Sequence, residues 1–161
     1  RLPFAGTAMI IRFIFLTLAL IACNKPQTET IPVPDTPEIV GTWKLVSGTL
    51  IEDGDSTVTD YTGGESMIKI INPTHFSFLR HDLNKGQDST AVFVAGGGEY
   101  TLEGDQYTEY LEYCSAREWE GNTFHFTVTI NADTLTQQGI EKIEDLGIER
   151  LNIEKYVRVI K

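Results

Sequence analysis

Three observations predict an all-β chain, an antiparallel up-and-down barrel of about eight strands. Short runs of strand-forming residues recur through Ile39–Lys161, each closed by Gly, Asn-Pro or Gly-Asp punctuation. No stretch of that region sustains a helical period. Gly96–Tyr113 reads as a hairpin with one aromatic and aliphatic face, the form that one wall of a small barrel takes.

The hairpin fixes a register. Gly104-Asp105 is a two-residue turn signal with period-2 flanks. It pairs Leu102 with Tyr107, Tyr100 with Glu109, Gly98 with Leu111 and Gly96 with Tyr113, and these eight residues share a face. The opposite face takes Glu99, Thr101, Thr108, Tyr110, Glu112 and Cys114.

Ahead of the barrel lies a leader, residues 1–22. Met9 is the expected translation start, with Arg1–Ala8 upstream of it. Arg12 precedes the apolar core Phe13–Ala22. About 20 residues are needed to span a bilayer, so this shorter core matches a signal peptide instead. Its end, Leu20-Ile21-Ala22-Cys23, resembles the bacterial lipobox. That resemblance implies cleavage before Cys23, acyl chains on Cys23 and anchoring in a membrane, and Asn24 after it favours the outer membrane. Residues 24–38, NKPQTETIPVPDTPE, hold four of the six prolines and show no period. With Cys23 they form a lipidated, extended linker, 23–38.

Within the domain, 39–161, the first strand is Ile39–Glu52, with Trp43, Leu45 and Ser47 on one face. Glu52–Gly64 reads as a polar loop. Ser66–Ile71 and Thr74–Asp82 are strands, Leu83–Ser89 a loop, and Thr90–Glu103 and Gln106–Cys114 the hairpin arms. Asn122–Asn131 alternates Phe124, Phe126, Val128 and Ile130. Asp133–Gln138 is short and polar, Glu141–Gly147 a helical turn or lid, and Ile148–Ile160 the last strand.

The chain has a formal charge of −10 from 13 Lys and Arg against 23 Asp and Glu, and loss of Arg1 and Arg12 with the leader makes it more acidic. Without a basic cluster it is not expected to bind nucleic acid, which needs cations to displace counterions. The two cysteines, Cys23 and Cys114, lie in unlike settings, and no CxxC or Cys/His cluster is present. Neither a metal nor another cofactor is expected. No Gly-x-Ser-x-Gly, phosphate loop or HExxH occurs, and Glu109 and Glu112 point to opposite sides of their strand, so the chain is not expected to be an enzyme.

Glu109 is the sharpest candidate residue. On an apolar wall its carboxylate would lose water, which penalises the charge unless a cation or donor pairs with it. Arg80, His75, Gln137 or a tyrosine hydroxyl could do so. Either it anchors a ligand in an apolar cavity, or it belongs to an internal network that fixes packing. Phe76 and Phe78 favour turning the Arg80 face of the third strand inward, leaving His75 and His81 outside or at the rim, and His125 outside.

Val40-Gly41-Thr42-Trp43-Lys44-Leu45-Val46-Ser47 resembles the opening strand of lipocalin-like domains. Thr74-His75-Phe76, Gly96-Gly97-Gly98-Glu99-Tyr100, Tyr107-Thr108-Glu109, Glu112-Tyr113 and Gln137-Gln138-Gly139 resemble lipocalin-like lipoproteins of the Bacteroidetes. Leu135 departs from that pattern, where a Trp is common, and the closing Glu154-Lys155-Tyr156-Val157-Arg158 has Tyr156 where Trp is usual. The resemblance implies a lipocalin-like barrel with Arg158 laid over Trp43 at its base. It implies a cavity for a small, largely apolar molecule lined by Trp43, Phe78, Arg80, Tyr100, Tyr107, Glu109, Leu111, Tyr113 and Phe126. The alternative is a filled barrel acting through its acidic outer face or the loops Glu52–Gly64 and Glu141–Gly147.

Overall fold

The computed structural model describes residues 38–160. The leader, Cys23 and all of the linker before Glu38 lie outside the described residues. Among the described residues ten strands form one antiparallel sheet: β1 (Gly41–Glu52), β2 (Asp55–Asp60), β3 (Glu65–Ile71), β4 (His75–Asp82), β5 (Phe93–Glu103), β6 (Gln106–Tyr110), β7 (Tyr113–Cys114), β8 (Thr123–Asn131), β9 (Thr134–Ile143) and β10 (Ile148–Arg158). Eight of them close a barrel, β1-β3-β4-β5-β6-β8-β9-β10. The last seam joins β10 to β1 through pairs such as Trp43–Arg158 and Leu45–Tyr156. Closure leaves no free edge in the barrel wall. The other two strands are side branches: β2 folds back on the far half of β1, and β7 pairs with β5.

Several sequence expectations are corrected. Glu52–Gly64 is not simply a loop, because it contains β2. Asp53 and Gly54 both take positive φ (51° and 88°), as the tight hairpin turn before β2 requires. Every β2 residue is exposed, so the strand carries no apolar alternation to betray it. Asp133–Gln138 likewise enters β9, where Leu135 and the polar Gln137 both point inward. Within Glu141–Gly147, the first residues continue β9 and only Glu144–Leu146 form a 3₁₀ turn. In β1 a bulge between Leu45 and Ser47 shifts the register. Beyond it Gly48 and Leu50, not Ser47, face the interior.

The hairpin at Gly104-Asp105 has the expected register near its turn: Leu102 opposes Tyr107 and Tyr100 opposes Glu109. Past Tyr110 the ladder breaks. Leu111 exchanges backbone hydrogen bonds with Asn122 and Gly121, Glu112 donates to Gly97, and pairing resumes with Gly97–Tyr113 and Gly96–Cys114. The slip reverses the two residues after it. Tyr113 is 70 % exposed and Cys114 is buried, the opposite of expectation.

The two ends of the barrel differ. Where β1 begins and β10 ends, Trp43, Leu45, Tyr107, Leu135 and Tyr156 are all but completely buried. Arg158 caps this end, with its guanidinium carbon 4.0 Å from the Trp43 ring centroid and its nitrogens donating to Val40 O (3.1 Å) and Glu38 O (2.7 Å). The Trp43 indole N–H donates to Ile39 O (2.8 Å). The chain enters the barrel here. The opposite end, where β1 and β9 finish and β3 and β10 start, carries the β1–β2 hairpin and the segment between β7 and β8.

Candidate functional site: a polar-floored cavity inside the barrel

Above the packed end, the barrel encloses a cavity of about 390 Å³ that opens at the other end. Its size lies within the range of small-molecule sites. Four strands supply the floor. Met67, Lys69 and Ile71 alternate inward on β3, and this directs the Lys69 ammonium at Glu109 Oε1 (2.5 Å) from β6 and Gln137 Oε1 (2.8 Å) from β9. The same ammonium lies 5.5–5.7 Å from the ring centroids of Phe76, Tyr107 and Tyr156. Lys69, Glu109 and Gln137 are all buried. A charge pair this deep stands only because each partner answers the other.

On β10, Asn152, Glu154, Tyr156 and Arg158 share the inward face. The Tyr156 hydroxyl donates to Glu154 Oε2 (2.7 Å). Burial pushes the Glu154 carboxyl above its ordinary value, while the Lys69 charge and the Tyr156 hydrogen bond pull partly the other way. Burial and the Glu154 charge together hold Tyr156 as a neutral phenol. Tyr107 is also driven well up, by burial first and then by the charge of nearby Glu109. Its hydroxyl is fully buried and finds no aligned hydrogen-bond partner among the described residues.

Toward the mouth the walls are apolar and aromatic: Phe78, Leu111, Phe124, Phe126 and Met67, with the Cys114 thiol among them. Two arginine clusters frame the opening. Arg150 forks onto Glu141 (2.8 Å through both Nε and Nη2) with its guanidinium carbon 5.3 Å from the Trp119 ring centroid, and Asn152 donates to the other Glu141 oxygen (2.8 Å). Arg80 pairs with Glu65 (2.6 Å) and lies 5.3 Å from the Tyr61 ring centroid.

Of the residues predicted to line the interior, Phe78, Arg80, Glu109, Leu111 and Phe126 do so. Trp43 and Tyr107 are inside but belong to the packed plug, and do not line the cavity. Tyr100 is half-buried against Tyr107 and donates to Asn72 O (2.9 Å), so it too serves the closed end. Tyr113 is outside, for the reason given above. Arg80 does not reach Glu109. The partner is Lys69, which the sequence reading did not single out, and Gln137 joins through Lys69 rather than directly. His75, His81 and His125 are exposed, and His75 sits 4.0 Å from Glu99. Lys69, Glu141, Arg150 and Glu154 were missed as site residues. The signal that could have found them is strict alternation itself, applied to β3, β9 and β10 without assuming that the apolar face points in.

Fold and site together define a class: a small antiparallel barrel with one sealed end, one open end and a charged floor under apolar walls. No family model, curated protein or solved structure matches the chain.

Proposed function

We propose that this chain is a lipid-anchored, non-enzymatic lipoprotein of the bacterial envelope, lipocalin-like in its barrel, which takes a small and largely apolar molecule into the barrel. The observation that supports this most is the cavity of about 390 Å³, apolar in its walls and open at one end. Anchoring rests on the sequence Leu20-Ile21-Ala22-Cys23, with acyl chains on Cys23 holding the protein at the outer membrane. The acidic charge favours no nucleic-acid partner in this reading.

The test is the mass of the protein purified from its own envelope, measured natively and again after denaturation. A reproducible excess that vanishes on unfolding supports the reading and gives the mass of the occupant. A clean apo mass in repeated preparations sinks it. Labelled palmitate should enter the wild-type chain and not Cys23→Ser, and equal labelling of the two would overturn the anchor.

A second reading, an interaction lipoprotein that works through its outer surface, draws support from Phe93 and Tyr113. Both are about two-thirds exposed, Tyr113 beside the glycine strip Gly96–Gly98 and Phe93 at the start of the same strand β5. Clean apo mass would shift weight to it.

A further inference from the structure

The charges in and around the cavity do not cancel in pairs. Lys69 is taken by Glu109, Arg150 by Glu141 and Arg80 by Glu65. That uses every cation that lines the cavity. Glu154 remains. Among the described residues no Lys or Arg lies within ion-pair distance of it, and its one side-chain partner is the Tyr156 hydroxyl. Lys69 is near enough to act on it through space, but its ammonium is already bonded to Glu109 and Gln137. Glu154 stands midway along β10, between Tyr156 at the floor and Asn152 toward the mouth, and opposite Gly48 of β1, which lines the same cavity with the Tyr61 ring packed over it.

An occupant that brings an anionic head would meet this surplus carboxylate with every cation already engaged. A neutral occupant would leave it as it is. An occupant with a cationic head would supply what the cavity lacks, while Phe78, Phe124 and Phe126 receive its apolar body. Resting on the binding reading above, we propose that the cavity selects amphipathic cations, molecules with an apolar body and a single ammonium group seated against Glu154.

The titration of Glu154 supports this by its direction. Burial raises it, as expected for a carboxylate without a full partner, and the charged or titratable groups around it are Lys69 on β3, Tyr107 and Glu109 on β6, Glu141 on β9, Tyr156 on β10 and Tyr61 just after β2. An alkylammonium keeps its charge throughout the neutral range. Its affinity should therefore fall as pH drops through the titration of Glu154, at a pH above the ordinary glutamate range.

The test compares three probes with the same chain and different heads: decylammonium, decanol and decanoate. Each is titrated calorimetrically at neutral pH into the full chain carrying Cys23→Ser, so that no acyl group competes. Decylammonium should bind about ten-fold or more tighter than decanol, the size of one charge-assisted contact, with decanoate weakest. Glu154→Gln should erase the preference for ammonium over alcohol. If decanol or decanoate binds as well as decylammonium to the wild-type site, the cation proposal is overturned while the binding reading stands. If none of the three binds, both fall.

Discussion

The Lys69–Glu109 pair is the most consequential contact between two side chains in the barrel. Both side chains are buried, so each depends on the other. Lys69→Met leaves Glu109 buried beside apolar rings and should cost about 3–5 kcal/mol in urea unfolding. The double variant Lys69→Met/Glu109→Leu removes both charges and should regain most of that loss, because a packed apolar pair is often as stable as a buried ionic one. A single variant that costs less than about 1 kcal/mol would mean that water reaches the pair. Glu154 behaves differently because it is short of a partner. Its carboxyl titrates higher in the folded chain than in the unfolded one, so the native state holds the proton more tightly. The stability this adds is complete below the unfolded pKa, and is lost as pH rises through the folded one. Glu154→Gln, which can still accept from Tyr156, should match the wild type at acid pH and exceed it at pH 8. Parallel pH profiles for the two proteins would refute this. The sequence made Glu109 visible, since Tyr107, Glu109 and Leu111 alternate with Thr108 and Tyr110. Lys69 was hidden in Met67-Ile68-Lys69-Ile70-Ile71, which is apolar on both faces. On β10 the pattern misleads outright: Leu151, Ile153 and Val157 turn away from the interior, and Asn152, Glu154 and Arg158 turn toward it. A ligand-sized cavity can hydrate or pair polar groups, and that inverts the usual rule of burial.

Among the strands, β5 is the one with least freedom. At Gly98 a Cβ would lie 1.8 Å from Tyr110 O, at the end of β6, and 2.9 Å from Glu112 N, in the break before β7, both of them backbone atoms. Nothing at the end of a flexible side chain can yield there. Gly98→Ala should therefore cost more than the ~1–3 kcal/mol of ordinary overpacking, and abolish the folded signal in circular dichroism at 37 °C. Gly104→Ala is the control. Its φ of 64° strains a substituted residue, but nothing lies within 4 Å, so its cost should stay near ~1–2 kcal/mol. Equal losses would place the constraint in the turn and not in the break. The break also explains why the second half of the hairpin departs from the register that its turn predicts. A two-residue turn fixes pairing only until the first interruption, and Leu111 leaves the ladder to bond with Asn122 and Gly121. No residue type in Leu111-Glu112-Tyr113-Cys114 announces that departure. The glycines opposite do mark a close approach of backbones, which is legible afterwards as the reason three occur in a row.

The closed ladder makes a claim about the molecule as a unit. β10 joins β1 along most of its length, so the sealed end and the mouth share every strand of the barrel and should unfold together. The two tryptophans test this from opposite ends, because Trp43 is wholly buried beneath Arg158 while Trp119 stands at the mouth against Arg150. Trp119→Phe and Trp43→Phe each leave one reporter. Urea transitions followed by fluorescence should coincide with that variant's circular dichroism in both cases. Arg158→Ala then removes a cation–π contact and two hydrogen bonds to the incoming chain, a loss of about 2–4 kcal/mol. Arg158→Lys should recover only part, since a single ammonium cannot lie flat on the indole and reach both carbonyls. In a cooperative barrel this loss at the sealed end shifts the Trp119 transition at the mouth together with the circular dichroism transition of the same variant. If the Trp43 signal moves and the Trp119 signal does not, the mouth is a separate unit. The cavity would then open and close without the barrel's seal taking part.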